Sequence, residues 1–368
     1  TCLEAGNRMA ATDSARAVAS PQVRALSLTE SPNLDLLRAC AVMCVFFAHL
    51  VDWVTRTRWE ITRHLGQAGV LMFFVHTSLV LMLSLERSSI QVRGAGKLIT
   101  DLYLRRAFRI YPLAVLCVVV SVLFGYPPGV GKPVRDFMDI VTNLTLTTNL
   151  FYAGEIWPVM WTLPLEVQMY LFLPVLYLCL RGRSVGTALA CWVGALSLAL
   201  IQPHVISRLN VVSWAPCFVP GVIAWRILRS RTVALPSRWW PVAILVFVLL
   251  YVPAVESTLP FLYRWTFALA LGCAIPLFAE LRANRVTHLI AKYSYGIYLS
   301  HLPLMSVTFH HSTAALWLRV SLFTVGAVLV PVLMFHFIEQ PFIKLGRRLL
   351  HPRDAQREAP PQARIAAA

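Results

Sequence analysis

The chain has 368 residues, of which 58% are hydrophobic and 14% charged, against about a quarter charged in a soluble domain. Its 33 Lys+Arg outnumber 17 Asp+Glu for a net charge of +16, yet the cations stand in short segments between apolar runs. That placement excludes a single soluble core and a nucleic-acid partner, and predicts an all-α polytopic membrane bundle.

Residues 1–33 are polar and Ala/Ser-rich with no apolar run before Leu34. No cleavable signal is therefore expected, the first span directs insertion, and Met9 is a candidate start. A helix needs roughly 17–25 apolar residues to cross the hydrocarbon. The segments that qualify are 34–54, 66–85, 110–126, 161–180, 185–202, 211–227, 239–255, 261–280, 289–308 and 314–338. About ten crossings place both ends on one side of the membrane. With the N-terminus inside, 24 Lys/Arg fall in inner segments and 8 in outer ones, with Arg38 inside the first span; both termini are thus expected in the cytoplasm. The organisation is a polar cytoplasmic segment at 1–33, a transmembrane domain at 34–342 and a basic cytoplasmic tail at 343–368, whose last part, 351–368, is expected to be disordered. The longest outer segment, 127–160, opens Pro/Gly-rich and continues as a weakly amphipathic stretch over 136–150. The 8 cysteines form no CxxC pair and lie mostly in apolar runs, so they read as small hydrophobes rather than metal ligands or a disulfide framework.

Ionisable groups inside spans are costly and therefore candidate functional groups. The first span carries Asp35, Arg38 and His49; eleven residues put Arg38 and His49 on one helix face, roughly 16 Å apart. The bland alternative is an Arg38 that snorkels to the interface and a His49 that only packs. Arg106 and Arg109 share a face before the third span, where two guanidinium forks suit a phosphate; they equally satisfy the positive-inside rule and touch lipid headgroups. The fourth span opens with Glu166, followed one turn on by Tyr170, and a buried Glu must be protonated or paired. The ninth places His301 in the apolar region above Tyr295 and Tyr298, and His76 lies in the second. His76 reads as a packing residue, and the adjacent His310 and His311 are weak evidence for a metal; none is expected.

Five pieces occur in a fixed order: Leu34-Asp35-Leu36-Leu37-Arg38-Ala39 with His49 at R-x10-H spacing; Arg106-x-x-Arg109 before Ile110-Tyr111-Pro112; Trp161-Thr162-Leu163-x-x-Glu166-x-x-x-Tyr170; Ser294-Tyr295-Gly296-Ile297-Tyr298-Leu299-x-His301-x-Pro303; and Glu339-Gln340-Pro341. Together they resemble the acyltransferase-3 family of membrane O-acyltransferases, over residues 34–342. One departure is Phe73-Phe74-Val75-His76-Thr77-Ser78, where the family commonly has FFxxSGF, which puts the substrate in question more than the reaction.

The resemblance implies an enzyme of the bacterial inner membrane that transfers groups other than amino-acyl groups, with acyl-CoA, acetyl-CoA first, as donor. The acceptor is a hydroxyl of a glycan such as a surface polysaccharide, or of a lipid or secondary metabolite. It implies His49 as catalytic base and Arg38, Arg106 and Arg109 as the residues that handle the donor's charged end. The chemistry suits the sequence: the anionic donor meets the arginines at the inner face, its pantetheine arm reaches into the bilayer, and a neutral His49 takes the acceptor's proton. Glu166 as a partner that orients His49, and Tyr170 or His301 as oxyanion donors, are secondary expectations; an acyl-histidine intermediate stays open. A transporter built on buried His, Glu and Arg is the rival reading, against which stands the lack of an internal repeat or matched broken helices.

Overall fold

The structure, a computed structural model, describes residues 31–92, 94–124, 136–206, 209–253, 260–310, 312 and 314–350. The expectations for residues 1–30 of the head and 351–368 of the tail, and for Arg93, Lys132, Arg135, Arg208 and His311, lie outside the described residues. The described chain is helical, its one β contact being an isolated bridge between Leu235 and Phe278.

The helices in order are α1 Pro32–Thr55, α2 Glu60–Gln91, α3 Ala95–Phe124, α4 Phe137–Thr145, α5 Thr148–Phe151, α6 Thr162–Leu180, α7 Val185–Val205, α8 Val211–Ser230, α9 Trp239–Tyr251, α10 Pro260–Ala274, α11 Arg285–Met305, α12 Leu316–Met334 and α13 Gln340–Leu350. Among the described residues, each of the ten expected spans has a helix over most of its length. Seven helices are long and apolar enough to cross a membrane on those grounds alone, and two more apolar helices, Trp239–Tyr251 and Phe261–Leu277, are shorter. The tenth, α11, carries Lys292, His301 and three tyrosines, because it faces polar cavities as well as neighbouring helices.

Local chemistry sets the helix ends. Ser31 caps α1 by accepting from the Leu34 amide, with Pro32 in the first turn where its missing N–H costs nothing. Asp136, Ser184 and Asn284 cap α4, α7 and α11 in the same way. α11 and α12 each loosen into a π turn, Ser306–His310 and Phe335–Glu339, shortly after Pro303 and Pro331. A π turn inserts one residue and swings the following side chains by about 100°.

α2 is the hub. It packs against α1, α6, α8 and α10, while α11 packs on α1 and α12, and α13 lies along α3. Its most apolar stretch is 78% buried, against 17% for α7 and 11% for the helical run Leu316–Leu350 that begins with α12. Those two present Leu198, Ile201, Val325 and Val328 outward, as lipid-facing helices do. Two glycines permit the closest approaches to α2. A Cβ at Gly69 would collide with the Ala41 carbonyl of α1, and one at Gly221 with the Val75 carbonyl and Ser78 hydroxyl. The Gly69 contact holds the helix that carries Arg38 and His49. Gly69→Val is therefore expected to destabilise the bundle by about 1–3 kcal/mol, read as a lower thermal midpoint of the detergent-solubilised protein.

Candidate active site

Five helices bring the polar intramembrane residues to two adjoining chambers. The first is a tight cavity of about 70 Å³ among α1, α2, α3, α6 and α11. Arg38, Arg106, Arg109, Glu166 and Tyr170 all line it. Arg38 Nε donates to Ser294 Oγ at 2.6 Å, and Ser294 in turn donates to the Ala291 carbonyl at 2.8 Å. The Tyr170 hydroxyl donates to Glu166 Oε2 at 3.1 Å, and the Arg106 guanidinium lies 5.5 Å from the centre of the Tyr170 ring. The i,i+4 spacing of Glu166 and Tyr170 thus becomes a hydrogen bond along one helix.

Arg106 and Arg109 donate no hydrogen bond to any described residue, so their forks are available to an anion. Glu339, at the end of the second π turn, is 1% exposed and interacts electrostatically with Arg109 and Arg38. Its Oε2 has no hydrogen-bond partner among the described residues. Three guanidiniums therefore face two carboxylates, leaving the chamber cationic. An anion with several oxygens fits such a donor set better than a lone carboxylate.

The second chamber is about 460 Å³ and is lined by His49, Asp52, Trp53, Arg58, Trp59 and Trp161 among others. The His49 ring makes no hydrogen bond to a described residue, but Asp52 and Arg58 both act on it electrostatically. Asp52 stands one turn beyond His49 on α1, and its Oδ1 accepts the Thr62 hydroxyl of α2. His301 lies behind His49 with ring centres 5.3 Å apart, and it is 1% exposed. His301 Nδ1 is 3.1 Å from the Ile297 carbonyl, while its Nε2 has no hydrogen-bond partner among the described residues. Nδ1 facing a carbonyl must carry the proton, so the neutral ring offers a lone pair at Nε2. A neutral His301 therefore presents an acceptor at Nε2.

The chambers share two lining residues, Val70 and Tyr298. The Tyr298 hydroxyl is bonded to Thr162 Oγ1 at 3.1 Å, and its ring lies between Phe73 at 6.0 Å and His301 at 6.1 Å, centre to centre. The expected site residues thus divide in two. Arg38, Arg106, Arg109, Glu166 and Tyr170 gather on one side of Tyr298; His49 and His301 gather on the other. Glu166 stands against Tyr170 and the arginines rather than against His49. His76 is buried, within electrostatic reach of the three arginines. Asp52 and Thr62 carry no signal in the sequence beyond the i,i+3 step from His49 to Asp52. Thr162 and Tyr298 are visible only as letters within larger motifs.

The acyltransferase-3 profile, described as an acyltransferase domain, matches residues 31–336. The chain belongs to the acyltransferase-3 family. As a member of that family it is an acyltransferase of groups other than amino-acyl groups, and the transporter reading falls away. Among its relatives, Nodulation protein 10 of Rhizobium leguminosarum bv. viciae is 25% identical over 362 residues, covering 86% of this chain and 95% of that protein. The peptidoglycan O-acetyltransferase OatA of Listeria monocytogenes serovar 1/2a is 25% identical over 377 residues, again covering 86% of this chain but 56% of the relative. No solved structure matches the chain. The match to the acyltransferase-3 profile takes in both chambers, since their lining residues run from Arg38 to Leu302.

Proposed function

We propose that this acyltransferase moves an acyl group, acetyl first, from acyl-CoA to a hydroxyl of a glycan. The observation that carries this reading is the pair of chambers that meet at Tyr298: one cationic with two uncommitted guanidiniums, the other large and holding a histidine. CoA phosphates suit Arg106 and Arg109, and its narrow pantetheine arm can lead the thioester to Tyr298. A volume of 460 Å³ accommodates a sugar unit, and the tryptophans along its wall offer flat apolar faces to one. The relative whose name specifies O-acetylation of peptidoglycan supports a glycan acceptor.

The bias of 24 inner against 8 outer cations supports a bacterial inner-membrane orientation with both termini and the arginine chamber toward the cytoplasm, where CoA is made. His49 takes the proton from the acceptor hydroxyl, the oxygen attacks the thioester carbonyl, and the C–S bond breaks. The thiolate then recovers the proton from the His49 imidazolium, so the products are the O-acyl ester and free CoA. Asp52, one turn away, stabilises that imidazolium. Asp52→Asn should lower kcat on the order of tenfold, against the 10²–10⁴-fold that base removal costs, with the donor KM unchanged in steady-state assays.

The reading is tested by incubating the purified protein with acetyl-CoA labelled in the acetyl group and cell-wall or surface glycans. Label that appears on the glycan and is released by mild alkali supports an O-ester. Label that stays on CoA with every glycan, lipid and small hydroxyl offered would sink the reading.

A further inference from the structure

Acyl transfer needs a donor for the negative charge that grows on the carbonyl oxygen as the hydroxyl attacks. The residues first expected in that role are committed elsewhere: Tyr170 gives its proton to Glu166, and a neutral His301 presents a lone pair at Nε2. We propose that the hydroxyl pair of Thr162 and Tyr298 is the oxyanion donor. The proposal rests on the donor and base assigned above.

Position is the first argument. Tyr298 lines both chambers and Thr162 lines the arginine chamber. A thioester whose phosphates are held by Arg106 and Arg109 meets an acceptor activated at His49 only where the chambers join, and the hydroxyl pair sits at that junction.

Proton counting is the second. The two hydroxyls lie 3.1 Å apart, and neither has another hydrogen-bond partner among the described residues. One proton is used between them, whichever residue donates. The other is free, and it is aimed by a pair that is already ordered. Thr162 is tied to the first turn of α6, whose partial positive charge adds to the same field. Both groups are buried, Thr162 to 4% and Tyr298 to 7% exposure, so their dipoles act with little screening by water.

As the acceptor oxygen bonds to the carbonyl carbon, the π pair moves onto oxygen and draws in the free hydroxyl proton as a hydrogen bond. When the C–S bond breaks, the carbonyl reforms and the hydroxyl keeps its proton, so no proton is lost from the pair.

The test uses the ketone analogue of acetyl-CoA in which CH2 replaces sulfur, with ¹³C at the carbonyl, and difference infrared spectroscopy on the full-length protein in detergent. In the wild type the carbonyl stretch should move to lower frequency on binding. In Tyr298→Phe and Thr162→Val the analogue should still bind, within about threefold, with that shift lost, and Thr162→Ser should restore it. In turnover both variants should lose about 10²–10³ in kcat with little change in donor KM. The double variant should be no worse than either single one, because the pair supplies one proton. A wild-type spectrum without a shift, or shifts that persist in both variants, overturns the proposal while leaving His49 and the arginines in place. Failure of the analogue to bind the wild type would instead overturn the donor reading and this proposal with it.

Discussion

Replacing His49 with alanine is expected to lower acyl transfer by about 10²–10⁴-fold, with the fold and donor binding retained. The size of the loss follows from the proposed reaction: a sugar hydroxyl attacks a thioester poorly unless its proton is removed as the bond forms. The selectivity follows from the structure. His49 is half-buried on the wall of the larger chamber and bonds to no described residue, so truncation leaves no buried partner unsatisfied. It also stands on the other side of Tyr298 from the three arginines. Transfer assays, donor binding by calorimetry and a thermal midpoint together check all three parts. A variant that kept near-normal transfer would remove His49 from the chemistry.

The second large effect concerns the donor. Arg106→Ala and Arg109→Ala should each weaken acetyl-CoA binding by about 10–100-fold, since a hydrogen bond to a charged group contributes about 1.5–3 kcal/mol. The double variant should lose on the order of 10²–10⁴-fold, with departures from additivity because the two forks share one anion. Lysine should rescue Arg106 only in part. It keeps the charge but loses the planar fork and the guanidinium face set against Tyr170. Calorimetric titration with acetyl-CoA checks this, and the wild-type affinity should fall as salt is raised. If neither single variant changed the affinity, the anion would have to bind elsewhere.

Much of the fold was legible because membrane spans declare themselves by length and apolarity. The segment 211–227 held together as α8 despite Pro216 and Pro220, since neighbouring helices compensate for a lost N–H inside a bundle. The third span was expected from residue 110, yet α3 begins at Ala95. The turns that carry Arg105, Arg106 and Arg109 are helical but too polar to count as apolar. The π turns were not legible, because their widening depends on packing as well as on proline. The same turn directs Glu339, which the sequence shows only as part of Glu339-Gln340-Pro341, toward the arginines.

The site was legible as a set of residue types and much less as an arrangement. Helical periodicity correctly placed Glu166 beside Tyr170, because that relation lies within one helix. Whether Glu166 faces His49 or the arginines depends on how α6 sits against α1 and α3, and no spacing encodes that. Asp52 resembles any charge at the end of a span. Its meaning comes from α2, which brings Thr62 to its oxygen. Tyr298 of α11 and Val70 of α2 both line the two chambers, a pairing that depends on how those helices pack.

The most direct measurement is thiol release from acetyl-CoA by the purified wild-type protein in detergent, beside His49→Ala, without and then with a glycan acceptor. The account predicts slow thiol release by the wild type, acceleration by the acceptor, and neither in the variant despite its binding the donor. Equal thiol release by both proteins, or none by the wild type with any acceptor, would contradict it.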